Sequence, residues 1–450
     1  MSRLLPALLA GLLSLPAWGA SPADLLARTA AALQEEGTNY RSADSGTLAW
    51  GESYLLEGYV YLYLASGDAS WLDRLVRHAD VIFAHLTPGA DGRPGWRTDH
   101  YSVAAVSLRP QGRVASDLRP DEERIFDIKR AGQVTGRRYR LVCRAPGRLQ
   151  VVDLSEFREL PPVECTSERD FTVAPGVELR CDRLPQPPEA WLLATKARQP
   201  LEYVVHDGMV LQPLAHFIFL ARSRPELQAR FSEPAQRYLE LLERELIPKW
   251  DTWWRDFSPR TGAYLAQDDW TQRFPGVILP HNQYLALGRV VLWLYRTTGN
   301  PHYLDRATRM ANFLHHHLQV DQGRYLWHYW DPARPQDQPG KRMQVVEDTS
   351  HAHIDVGFMV DCCQAGMVFD REDMALLCRT LLSMRVPGSR PALGDRVGSA
   401  EGDTAVGLDW IRLAEYDPEV QAFMSEFAEQ RLAGGGANAA AVAQLLTIVQ

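Results

Sequence analysis

The sequence predicts an all-α protein, an α/α toroid of about six helical hairpins with a small β-rich insertion. Three observations carry this expectation: a helix-stop-helix block that occurs twice in register, looser copies of it along the chain, and one segment where helical periodicity gives way to alternation. The block is explicit. Leu62-Tyr63-Leu64-Ala65-Ser66-Gly67-Asp68 is followed by Trp71-Leu72-Asp73-Arg74, Arg77, Ala79 and His85-Leu86. Leu294-Tyr295-Arg296-Thr297-Thr298-Gly299-Asn300 is followed by Tyr303-Leu304-Asp305-Arg306, Arg309, Ala311 and His317-Leu318. Each copy reads as an apolar helix, a Gly-Asp or Gly-Asn stop and an amphipathic return helix, which is an αα-hairpin.

Taken in chain order, residues 1–20 come first, with Arg3, an apolar run from Leu4 to Leu15 and Ala17-Trp18-Gly19-Ala20. A basic start, an apolar stretch and a small-residue end predict a secretory signal and hence a periplasmic or secreted protein. The first part of the toroid is expected over 21–100. It opens with an unpartnered helix from Pro22 to Glu36 and contains the first hairpin. From 101 to 198 the helical period is lost, and strand-like runs appear at Tyr139–Cys143, Leu149–Leu154 and Val177–Cys181 between Pro- and Gly-containing turns. The rest of the toroid is expected over 199–450. Hairpins there run from His206 to Leu246, through the Leu294 block, from His353 to Met384 and from Val406 to Arg431, turning at Asp417-Pro418. The apolar stretch Ala437–Val449 then pairs with the Pro22 helix and closes the ring. No stretch after the signal offers the roughly 18–20 uninterrupted apolar residues of a bilayer span.

Composition narrows the partners. The formal charge of −8 argues against a nucleic-acid partner, because phosphate binding rests on clustered Lys and Arg. Thirteen Trp and sixteen Tyr place Trp50, Trp96, Trp253, Trp254, Trp270, Trp327, Tyr329 and Trp330 near helix ends or loops, where a ring can stack on a ligand face. Of the six cysteines, Cys143, Cys165 and Cys181 share the strand-rich segment, where export permits a bond between two of them. The absence of a Cys-x-x-Cys pair gives no zinc ribbon, and neither metal nor cofactor is expected.

Overlaying the hairpins in register brings Trp50, His206, Asn282 and His351 or His353 to equivalent inner-helix starts. Glu52, Asp207, His281, Tyr284, Glu347, Asp348 and Asp355 stand around them. In a closed ring these starts share one mouth, and helix N-termini add positive potential that suits a carboxylate ligand. Taken singly, Asp207 and Glu347-Asp348-Thr349-Ser350 are also ordinary N-cap sequences.

The segments Trp50-Gly51-Glu52-Ser53, Val205-His206-Asp207-Gly208-Met209, Leu279-Pro280-His281-Asn282-Gln283-Tyr284 and Glu347-Asp348-Thr349-Ser350-His351-Ala352-His353 resemble those of α/α-toroid carbohydrate-active enzymes, the six-hairpin glycosidases and toroid polysaccharide lyases. The resemblance implies a polysaccharide or oligosaccharide substrate. A lyase cleaving a uronic-acid-containing glycan by β-elimination is the first reading. It implies Asn282 and His351, helped by Arg396, neutralising the sugar carboxylate, with Tyr284 or His353 as base and His206 close by. Trp50, Glu52, Asp207, His281, Glu347 and Asp348 are expected to bind substrate. The Asn-Asn-His-x-Tyr block of alginate lyases is absent, and Pro280-His281-Asn282-Gln283-Tyr284 stands in its place. The alternatives are a glycoside hydrolase of the unsaturated-glucuronyl type drawing two carboxylates from Glu52, Asp207, Glu347, Asp348 and Asp355, a non-catalytic periplasmic glycan-binding protein, and a C5-epimerase.

Overall fold

The computed structural model describes residues 21–34, 37–89, 91–111, 126–131, 134–166, 169–181, 183–269, 271–333, 344–388, 390–404, 408–432 and 436–449. The segment read as a secretory signal and Trp270 lie outside the described residues.

The duplicated block forms the two hairpins it predicts, and the same backbone device stops both inner helices. Helix α1 (Pro22–Gln34) precedes a short turn, α2 (Ser45–Thr47), and a wide π turn at Leu48–Glu52 that leads into α3 (Ser53–Ser66). Gly67 ends α3 at φ 73° with its N–H donating to the Tyr63 carbonyl at 2.8 Å, and α4 (Ser70–Ala84) returns. Gly299 ends α7 (His281–Thr298) at φ 70°, donating to Tyr295 at 2.8 Å, and α8 (Pro301–His317) returns. A left-handed stop of this kind strains any residue with a Cβ, which is why glycine stands at both places. Asn300 then caps α8 through its side chain, with Pro301 in the first turn.

The remaining pairs follow. Helices α5 (Val204–Ser223) and α6 (Pro225–Leu241) flank the extended Arg224, and α9 (Thr349–Gln364) and α10 (Arg371–Ser383) flank a capping box of Asp370 and Asp373. The last hairpin departs from expectation. Its first limb is a 3-10 stretch, Leu408–Glu415, leading to α11 (Pro418–Arg431) and α12 (Gly436–Val449). Three residues per turn align positions i and i+3, so Asp409 and Arg412 share one edge, and both meet the buried charges of α7 and α9.

The packing order is cyclic: α3 lies against α5, α5 against α7, α7 against α9, α9 against the 3-10 stretch, that stretch against α12, and α12 against α3. Outside these pack α4, α6, α8, α10 and α11, with α1 on α12. The inner helices α3, α5 and α9 are buried on nearly every side because neighbours enclose them, whereas an outer helix such as α4 carries one apolar stripe. By length and composition α5 would suffice to cross a bilayer, but 94% of its apolar window is buried inside the protein. Helices α5 and α7 pack backbone to backbone at Gly208, where a Cβ would lie 2.4 Å from the backbone carbonyl carbon of Ala286.

The description all-α with a small insertion understates the β structure. Between Ala105 and Lys196 lie eight strands: β3 (Ala105–Pro110), β4 (Phe126–Ala131), β5 (Arg138–Ala145), β6 (Arg148–Asp153), β7 (Arg158–Glu164), β8 (Asp170–Ala174), β9 (Val177–Cys181) and β10 (Ala190–Lys196). They form antiparallel sheets ordered β3-β10-β5-β6-β7 and β4-β9-β8. Alternate residues such as Tyr139, Leu141, Leu149, Val151, Val177, Leu179, Trp191 and Leu193 make a core separate from that of the helices. The short pairs β1 (Thr87–Pro88) with β2 (Pro94–Gly95), β11 (Trp254–Asp256) with β12 (Gly262–Tyr264), and β13 (Gln319–Asp321) with β14 (Arg324–Leu326) sit in the connections. The expected bond between two of Cys143, Cys165 and Cys181 is not formed; each is a thiol whose Sγ donates to a backbone carbonyl, of Ala145, Gly147 and Thr166 in turn.

Candidate functional site

A cavity of about 1160 Å³ opens where the N-terminal ends of α5, α7 and α9 and the π turn before α3 come together. Trp50, His206, Asn282 and His351, four residues that the repeat register brings to equivalent positions, all line it. Its walls are largely aromatic: Tyr54, Tyr101, Tyr203, Phe274, Tyr329 and Trp330 face it with Trp50. Tyr101 comes from the segment leading into the β insertion and Tyr203 from the segment leading out, so the foot of the insertion is part of the wall.

His351 is the polar group whose surroundings are most developed. Asp348 caps α9, with Oδ1 accepting the N–H groups of Ser350 and His351 at 3.0 Å each, while Oδ2 lies 2.6 Å from Nδ1 of His351. Hydrogen bonds from His351 and Ser350 outweigh burial and hold the Asp348 carboxyl well below the usual carboxylate range. The half-exposed imidazole is therefore oriented by a carboxylate through one nitrogen and left with Nε2 for the cavity. Tyr329 packs 5.4 Å from that ring, its hydroxyl accepting from Gln283 at 3.3 Å. Burial pushes the phenol up to about 12, so it keeps its proton. Opposite, on α7, Asn282 is 1% exposed and its Oδ1 has no partner among the described residues.

His206 sits in an aromatic box. Trp50, Tyr101 and Tyr203 surround the ring at 5.6, 5.3 and 5.1 Å, and Ser45 Oγ meets Nδ1 at 2.9 Å. Burial drives its pKa down to about 3, so it is a neutral imidazole.

The other candidates are turned elsewhere. Tyr284 is fully buried with its hydroxyl 2.6 Å from Nδ1 of His281, and His281 in turn reaches Asp331 at 3.1 Å. His353 is buried within the ring, 3.1 Å from Asp409, which also takes two hydrogen bonds from Arg289. Glu52 pairs with buried His78 at 2.7 Å. Asp207 receives Trp250 Nε1 at 2.9 Å and Lys249 at 2.7 Å, tying the start of α5 to the 3-10 turn Pro248–Trp253 that follows α6. Arg396 donates to the carbonyl of Val346 at 2.8 Å. Glu347 accepts the N–H of Asp348 through one oxygen, while the other, like Asp355 Oδ1, is buried without a partner among the described residues. Burial raises both carboxyls well above their usual range, with the charges of Asp355 and Asp348 adding to it at Glu347 and that of Asp348 at Asp355. Among the cavity-lining residues the single carboxylate is Glu202, engaged by Lys249 and Arg97.

Tyr329, expected from the sequence only as a stacking aromatic, stands at the cavity beside His351, and Tyr101, Tyr203 and Phe274 line it with no signal in the sequence. These come from loops outside the repeat, where no periodicity marks a side chain as inward.

No protein-family model matches the chain, and no curated protein sequence does. Among solved structures, an inactive variant of the α-1,6-mannanase GH76A of Salegentibacter sp. HEL1_6 in complex with α-1,6-mannotriose is similar over 95% of this chain and 98% of that one, at 10% identity and a TM-score of 0.43. A second inactive variant, with α-1,6-mannotetrose, covers 96% and 98% at 11% identity and a TM-score of 0.45. FlgL of Xanthomonas campestris covers 48% of this chain and 84% of its own at 11% identity and a TM-score of 0.17.

Proposed function

We propose that this chain is an exported carbohydrate-active enzyme of the α/α-toroid kind that cleaves a uronic-acid-containing polysaccharide or oligosaccharide by β-elimination. The observation that carries the reading is the pairing, across one aromatic-lined cavity, of a carboxylate-oriented imidazole on α9 with the Asn282 amide at the start of α7. The cyclic packing order supports the toroid, and residues 1–20 support export.

In this mechanism the sugar ring stacks on the aromatic wall, and its carboxylate accepts from the Asn282 side chain in the positive field of three helix N-termini. Withdrawal of charge by that contact acidifies the C5 proton. His351 Nε2 takes the proton, the C5 electron pair forms the C4–C5 double bond, and the C4–O4 bond breaks. O4 leaves with the proton of Tyr329, and transfer from His351 to the tyrosinate through solvent resets the site. Asp348 keeps His351 in the required tautomer, as a buried carboxylate does for a catalytic histidine. Tyr284 and His353 have no part as base, since their polar atoms are bound inside the fold.

A hydrolytic reading draws on Glu347 and Asp348, neighbouring carboxyls whose pKa values are pushed in opposite directions, the pattern of a general acid beside a general base. Against it, Glu347 is fully buried and outside the cavity lining. One incubation separates the readings. With glucuronan, alginate or their oligomers, elimination gives near-ultraviolet absorbance from the conjugated double bond, lost in His351→Ala and Asn282→Ala. Reducing ends without absorbance transfer the case to the carboxylates, an altered uronate ratio without cleavage to a C5-epimerase, and retardation in an affinity gel without turnover to a glycan-binding protein.

A further inference from the structure

Behind the cavity wall lies a second group of polar side chains that the proposed reaction does not use. His281 at the start of α7, His317 at the end of α8 and Asp331 after β14 bring one potential ligand atom each within 4.8 Å of one another. The outward-facing nitrogens are already engaged. His317 Nδ1 lies 2.8 Å from the carbonyl of Phe313, which can only accept, so the proton is on Nδ1 and the Nε2 lone pair points away from the helix. His281 Nδ1 is 2.6 Å from the Tyr284 hydroxyl, leaving Nε2 directed at Asp331 Oδ2, 3.1 Å away. His328 Nδ1 holds the other oxygen of Asp331 at 3.0 Å. Imidazoles fixed through their second nitrogen, beside a carboxylate oriented by another donor, make up the outer shell that metal ligands require.

We propose that His281, His317 and Asp331 form a binding site for a divalent transition-metal ion of the Zn2+ class. Two imidazoles and one carboxylate suit a borderline cation better than Mg2+ or Ca2+, which prefer all-oxygen cages. Binding sets the proton of His281 on Nδ1, donating to Tyr284 Oη, and gives Nε2 to the ion. The ion joins the start of α7, the end of α8 and the β14 loop. These elements carry Asn282 and Tyr329, so the site braces one side of the cavity from behind.

The test uses the whole mature chain stripped with EDTA and dialysed. Titration with ZnCl2 is expected to saturate near one equivalent by calorimetry and elemental analysis and to raise Tm above that of the EDTA form. CoCl2 is expected to give a visible absorption band of a four-coordinate N/O site. His317→Ala, at a partly exposed helix end, and Asp331→Asn should each weaken Zn2+ binding at least tenfold while circular dichroism remains unchanged. The double variant His315→Ala/His316→Ala should bind as the parent does. Failure to retain Zn2+, binding undiminished in His317→Ala and Asp331→Asn, or loss of binding in His351→Ala alone would each overturn the proposal.

Discussion

Oδ2 of Asp348 lies 2.6 Å from Nδ1 of His351, three residues on, while Oδ1 of the same carboxylate caps the helix that carries the histidine. One side chain thus sets both the start of α9 and the orientation of the imidazole, and the two roles come apart on substitution. Asp348→Asn keeps a capping oxygen, so its urea midpoint should stay near the parent's while turnover falls about 100-fold or more for want of the charge. Asp348→Ala should lose turnover equally and in addition about 1 kcal/mol of stability.

Tyr284→Phe and Tyr329→Phe should separate cleanly in the absorbance assay. The Tyr284 hydroxyl is spent on His281 inside the fold, so its removal should change the rate no more than a few-fold. Tyr329 stands beside His351 on the cavity, and removing its proton should lower kcat by about 100-fold or more with little change in KM.

Glu347 and Asp355 give stability a dependence on pH with a definite sign. Burial keeps both protonated in the folded chain well above the pH at which they ionise when unfolded. Their contribution is therefore complete below about pH 4 and declines as pH rises towards the folded pKa values, by up to about 1.4 kcal/mol per pH unit for each proton retained. Glu347→Gln and Asp355→Asn should each flatten that decline, read as the slope of unfolding free energy between pH 5 and about 8.

His206 and His216 act in the opposite sense. Burial lowers both to about 3, so the unfolded chain takes up protons below about pH 6.5 that the folded chain refuses. Stability from these residues is present above that pH and is lost as pH falls. In proton NMR neither ring should titrate between pH 8 and about 4.5, and a midpoint near 6 for either would contradict its burial.

Gly208→Ala should strain the contact between α5 and α7. Its Cβ would lie 2.4 Å from the Ala286 carbonyl carbon, and backbone on both sides leaves no flexible atom to yield. A loss of about 1–3 kcal/mol is expected in denaturant titration. His206 and Asn282 ride on these two helices, so substrate affinity should fall as well.

The helical scaffold was legible because periodic burial and glycine stops are local signals, and the αL geometry at Gly67 and Gly299 is what the repeat implied. Of the strands, β5, β6 and β9 stood out through alternation of Leu, Val and Tyr. β7 did not, since Arg158–Glu164 is mostly exposed and its two prolines mask the pattern. The equivalence of Trp50, His206, Asn282 and His351 followed from the register. The buried partners that take His281, His353 and Glu52 out of reach are Asp331, Asp409 and His78. Those pairings are set by tertiary packing, and no spacing in the chain announces them.

The closing contact of the cycle, α12 against α3 with α1 alongside, joins helices far apart in sequence, α3 (Ser53–Ser66) and α12 (Gly436–Val449). It has a consequence for biogenesis. Ring closure waits until α12 has been made, so a nascent chain exposes the apolar seam of α3 until then. Pairings of such sequence separation form slowly, which makes the seam the surface a holding chaperone would cover.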